Sequence, residues 1–132
     1  MKNPPRLHLL LFLLLITTVF AQKSDIYTND LKVFNEAISL YNSKQYLSAQ
    51  IIFEKIKLEN QSQEVQSDCE FYSAVCAIKL NQMNSDLLME NFIMNHPTSS
   101  KLNIAYTLIA DYYFEQGSFT ESLKWIDIKP LL

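Results

Sequence analysis

Apolar side chains recur at intervals of three and four along most of the chain, the spacing that aligns them on one side of an α-helix. Leu31, Phe34, Ala37, Ile38 and Tyr41 make the first stripe, which stops at Asn42-Ser43-Lys44-Gln45. Tyr46, Ala49, Ile52, Phe53 and Ile56 make the second, closed by the polar segment from Glu59 to Gln63. A third run from about Glu64 to Leu80 carries Phe71, Ala74, Val75 and Ile78, with Cys76, Ala77 and Leu80 widening its apolar side. Beyond Asn81 to Ser85 a shorter run holds Leu87, Leu88, Phe92 and Ile93. It ends at His96-Pro97, since a proline ring disfavours helical backbone in the residue before it. The fifth, from about Ser100 to Gln116, carries Ile104, Tyr106, Ile109, Ala110 and Tyr113; the sixth, from Phe119, carries Leu123, Trp125 and Ile126. Six helices are predicted, and the link of about four residues between the first two makes them an antiparallel pair.

The turns carry their own signals. Gly117, the chain's only glycine, falls where the backbone must reverse, which predicts a positive φ. Ser118-Phe119-Thr120-Glu121 then reads as a capping box opening the sixth helix. Lys44 stands in the equivalent place of the first pair, where a side chain costs about 1 kcal/mol, so that turn is expected to be less well formed. A single glycine and four prolines argue against a strand-rich fold and against a glycine-rich phosphate loop. At 132 residues the chain holds one core and no separate cofactor domain.

Lys2 and Arg6 precede an apolar run from Leu7 to Ala21, the pattern of a secretory signal peptide over residues 1–21. As a helix that run spans roughly 22 Å against a hydrocarbon core of about 30 Å, so it is too short to anchor the chain. Cleavage after Ala21 leaves residues 22–132 with no integral membrane segment. It takes two of the 11 bases and none of the 14 acids, leaving 9 against 14, a net charge of −5 without any arginine. Nucleic-acid binding, which relies on clustered Lys and Arg, is thereby excluded.

Candidate chemistry is sparse. Cys69 and Cys76 lie seven apart on one predicted helix, so their Cα atoms stand roughly 10.5 Å apart, beyond the roughly 6.8 Å reach of a disulfide. They read as small buried thiols. His96, the one histidine after Ala21, reads as a cap on backbone carbonyls at a helix end. Neither metal-ligand spacing nor a nucleophile with a base is apparent, so no enzyme, no metal and no cofactor is expected.

Leu40-Tyr41, Lys44-Gln45-Tyr46, Ala49 and Phe53 match Tyr113-Phe114, Gly117-Ser118-Phe119, Ser122 and Ile126 at the same offsets. Ala37 and Ala110 take the small site in each unit's first helix. This pattern resembles the tetratricopeptide repeat, a helix–turn–helix unit of 34 residues, over about Asp25 to Asp127. The middle unit departs from it: Ala77 takes the small site, Asp86 stands where Tyr46 and Phe119 stand, and the spacing calls for a longer linker around Asn60. Phe92-Ile93, His96-Pro97 and Tyr112-Tyr113-Phe114 look most like exported multi-repeat proteins of Gram-negative bacteria.

The resemblance implies an all-α, right-handed solenoid of antiparallel helix pairs in three units, about 25–60, 61–97 and 98–130. It also implies a protein-interaction scaffold of the periplasm or cell envelope. Its concave wall would be built from Phe34, Ile38, Tyr41 and Asn42 in the first unit and Thr107, Asp111, Phe114 and Glu115 in the third. An aromatic shelf with an acidic rim suits a protein or peptide partner bearing basic or amide groups. The Lys and Arg of the family's carboxylate clamp are missing from this wall. Trp125, Ile128, Leu131 and Leu132 are close enough in sequence to form one uncapped apolar edge, which implies further repeats of a longer array or self-association there; otherwise they fold back onto the third pair as a short lid. The alternative is a ligand-sensing or regulatory helical module whose effector lies in a longer chain or a partner.

Overall fold

A computed structural model describes residues 31–130. The segment 1–21 read as a signal peptide, the start of the expected first unit, and Leu131 and Leu132 lie outside the described residues. Within them the chain is all-helical: α1 occupies residues 31–42, α2 Tyr46–Glu59, α3 Gln63–Lys79, α4 Ser85–Asn95, α5 Leu102–Glu115 and α6 Phe119–Asp127. The second and sixth helices begin at the residues that the apolar periodicity marks.

One turn motif repeats three times. After α5, Gly117 takes φ 75°, its N–H donates to Phe114 O at 3.0 Å, and the Ser118 N–H donates to Tyr113 O at 2.9 Å. After α1, Lys44 takes φ 60° and the same two bonds form, Lys44 N to Tyr41 O and Gln45 N to Leu40 O, both 2.9 Å. After α3, Asn81 takes φ 55°, with Asn81 N to Ile78 O and Gln82 N to Ala77 O, both 3.0 Å. Each is a Schellman ending, in which a left-handed residue lets two donors satisfy carbonyls at the helix end. The expectation of a poorer turn at Lys44 is therefore corrected: the bonds are as short as those at Gly117, and the left-handed backbone is accepted at its usual cost.

The capping box expected at Ser118 is absent. Ser118 makes no side-chain cap, and its N–H, which a capping box gives to the Glu side chain, is already bonded to Tyr113 O. Glu121 pairs instead with Lys124 at 3.1 Å. A side-chain cap does form on α3, where Ser62 Oγ accepts from Val65 N and Asn60 Oδ1 accepts the Ser62 N–H at 2.8 Å.

The three left-handed residues fix the register between helix pairs. Lys44 to Asn81 is 37 residues and Asn81 to Gly117 is 36. Seven residues before them stand Ala37, Ala74 and Ala110, all buried, so Ala74 rather than Ala77 is the equivalent small residue. The middle turn is the irregular one. It holds a second left-handed residue, Asn84 at φ 61°, and α4 starts four residues after Asn81 instead of two. That delay puts exposed Met83 at the position of Tyr46 and Phe119, moves Asp86 into the first turn of α4, and removes the need for a long linker at Asn60. In the second helix of each pair the small buried residue is Ala49, Ser85 and Ser122.

The core has two parts that share α3. Ala37, Ala49, Phe53 and Ile56 pack with Cys69 and Cys76 on one side of α3. Phe71, Ala74 and Val75 on its other side pack with Met89, Phe92, Ile93, Ala105 and Ile109. Tyr72 lies at the seam, stacked on Phe53 at 5.2 Å and edge-on to Phe34, Tyr41 and Phe71. Full burial of a ring such as Phe53 contributes about 3 kcal/mol. No described helix is long and apolar enough to cross a membrane.

Candidate functional site

The residues expected on a binding wall fall into two environments. Phe34, Ile38 and Tyr41 are half-buried and pack on the first core. Phe34 meets Phe53 at 5.7 Å, and Tyr41 meets Tyr72 at 5.3 Å and Tyr46 at 5.7 Å. Asn42 is exposed at the last residue of α1. Thr107, Asp111, Phe114 and Glu115 are all exposed on α5. Thr107 Oγ1 donates to Asn103 O at 3.1 Å and accepts from Lys129 Nζ at 3.0 Å, while Phe114 stands edge-on to Phe119 of α6 at 5.3 Å. Among the described residues no hydrogen bond, ion pair or ring contact joins the two sets.

The turn register explains the difference. Ten, six and three residues before each left-handed residue stand Phe34, Ile38 and Tyr41 in the first pair, and Phe71, Val75 and Ile78 in the second. These are the sides that the following helices cover: Tyr72 of α3 lies against the first set, and α4 and α5 share a core with the second. In the third pair the same positions are Thr107, Asp111 and Phe114. On the partner helices, four residues past the small site, Phe53 and Met89 are fully buried whereas Ile126 is 55% exposed. Phe114 is 61% exposed and Leu123 59%. The shelf in the first pair is thus inter-helix packing, and its counterpart in the third pair is a face of α5 and α6, the downstream face, that no other described helix covers.

Trp125 does not belong to that face, contrary to the edge read from its neighbours in sequence. Three residues past buried Ser122, it lies on the same side of α6, half-buried, against the second core and 5.9 Å from the Tyr106 ring. Ile128 is exposed, and Leu131 and Leu132 lie outside the described residues.

Polar clusters that sequence reasoning missed join helices distant in the chain. His96 does not cap carbonyls with its ring; Nε2 reaches Glu70 Oε2 of α3 at 2.8 Å. Lys101 Nζ pairs with Asp68 at 2.8 Å and sits 5.6 Å from the centre of the Tyr72 ring. These pairs border a polar cleft of about 730 Å³ between the start of α3 and the segment 96–101. The Tyr113 hydroxyl donates between Glu90 Oε1 at 2.8 Å and Asp86 Oδ2 at 3.2 Å of α4. Burial, then the bond to Glu90, raise its pKa above the usual phenol range. Only the i, i+4 spacing of Asp86 and Glu90 was visible in sequence; their meeting with α5 was not.

Burial pushes the Cys69 thiol up to about 12, helped by the Asp68 and Glu54 charges, and the Cys76 thiol up to about 11. A thiol that stays protonated is a poor nucleophile and metal ligand. His96 and Glu70 form an imidazole–carboxylate pair, and among the described residues no hydroxyl or thiol is hydrogen-bonded to the ring. No group of three or more His, Cys, Asp or Glu side chains among them could hold a metal ion. Comparisons of the chain with family models, curated proteins and solved structures return no match.

Proposed function

We propose that this chain is a non-catalytic protein-interaction scaffold built from three tetratricopeptide-like, antiparallel helix pairs stacked as a right-handed solenoid. Three helix endings with the same pair of backbone bonds at 37- and 36-residue spacing support the repeat, as does packing between successive helices. The Leu7–Ala21 pattern supports export to the periplasm or envelope. One observation carries the function: positions that are buried or half-buried in the first two pairs are exposed in the third, Ile126 where Phe53 and Met89 are buried and Phe114 where Tyr41 and Ile78 are half-buried. An apolar face with two covered counterparts in the same molecule is a surface for a protein partner.

The test compares capture of envelope proteins by the wild-type chain and by a Phe114→Ala/Ile126→Ala variant with unchanged helicity. Loss of specific capture in the variant is expected. Equal capture by both refutes the assignment.

A further inference from the structure

The downstream face is more polar than its two covered counterparts at two positions, with Thr107 in place of Phe34 and Phe71, and an acid at its centre. Asp111 occupies its middle, where the earlier pairs have Ile38 and Val75. It forms no ion pair among the described residues, and Glu115 follows one helical turn later. Phe114, three residues along α5, and Ile126, at the α6 position whose counterparts Phe53 and Met89 are buried, are both exposed, and Lys129 Nζ donates to Thr107 Oγ1. Covering Asp111 with an aliphatic side chain would strip a carboxylate of water without compensation, whereas a lysine or arginine would pair with it.

A second copy of the chain is a poor occupant. The sides that face the preceding pair lie twelve, eight and five residues before the turn residue: Cys69, Ser73 and Cys76 in the second pair, Ala105, Ile109 and Tyr112 in the third. All but half-buried Tyr112 are buried. In the first pair these positions are Lys32, Glu36 and Ser39, all exposed. Head-to-tail stacking would therefore desolvate Lys32 and Glu36 together, where the internal interfaces bury Cys69, Cys76, Ala105 and Ile109. Two-fold stacking would bring Asp111 and Glu115 onto their own copies.

Resting on the scaffold reading, we infer that the downstream face of α5 and α6 takes an amphipathic helix of a partner protein that places one lysine or arginine, flanked by apolar residues, opposite Asp111. The charge selects the partner and the flanking apolar contacts hold it.

The test uses the full exported chain and two 20-residue amphipathic helical peptides with a leucine stripe, one with lysine and one with glutamate at its centre. Binding is followed by anisotropy of the labelled peptides, and self-association by sedimentation velocity. The lysine peptide is expected to bind the wild-type chain at least tenfold more tightly. Asp111→Lys should reverse that order, and Asp111→Asn, which keeps the shape, should abolish the preference. Equal binding, no binding, or a preference untouched by either substitution overturns the inference. So does a dimer that Phe114→Ala dissolves, which would make a second copy the occupant. Partner capture that depends on Phe114 but not on Asp111 would leave the scaffold standing and remove the charge rule.

Discussion

Exchanging the left-handed residues tests the register on which the packing argument rests. Lys44 and Gly117 hold the same conformation, φ 60° and 75°, with turn bonds of 2.9–3.0 Å. A residue with a Cβ pays about 1–2 kcal/mol there, while glycine loses about 0.4–1 kcal/mol more chain entropy on folding. Lys44 is exposed, so Lys44→Gly sacrifices no packing and should stabilise the chain by about 0.5–1 kcal/mol. A Cβ at Gly117 would meet nothing within 4 Å. Gly117→Ala should consequently cost only the same backbone difference, with opposite sign. Asn81→Gly should be nearly neutral, since asparagine tolerates this conformation. Urea unfolding followed by circular dichroism reads all three, and about 1 kcal/mol corresponds to roughly 4–8 °C in Tm for a domain of this size. Destabilisation by Lys44→Gly together with a neutral Gly117→Ala would refute the shared left-handed turn.

Ser85 fills the small site of α4 with a buried hydroxyl that has no partner, where α2 has Ala49; Ser85→Ala should stabilise by about 1 kcal/mol in the same assay. Phe53→Ala empties the middle of the first core and should destabilise by about 3–5 kcal/mol. Cys69 and Cys76 should resist maleimide until the chain is denatured, and fast native labelling of either would contradict their burial. The same thiols make stability pH-dependent: their folded pKa values lie above the ordinary value of about 8.5, so their contribution is complete below that pH. It falls as pH rises through about 11 and about 12, and a Cys69→Ala/Cys76→Ala variant should lose part of that alkaline sensitivity in thermal melts.

Helix positions were legible because each helix shows its neighbours a stripe of fixed period, and that period survives in sequence whatever lies opposite. Tyr46 and Phe119 opened helices as the stripes required, and Gly117 announced its turn. Lys44 was found only by its offset match to Gly117, since lysine has no preference for left-handed backbone, and Asn81, which tolerates it, was lost among the polar residues of its turn. Missing Asn81 also hid the true register of the middle pair, so Ala77 stood in for Ala74. The site was less legible still. Phe34, Ile38 and Tyr41 occupy the same turn-relative positions as Thr107, Asp111 and Phe114, and only tertiary structure decides that α3 covers the first three while nothing described covers the rest. His96 with Glu70, Lys101 with Asp68, and Tyr113 between Asp86 and Glu90 likewise join residues more than twenty positions apart. Periodicity along a chain determines which side of a helix is apolar; what that side meets is set by how the helices stack.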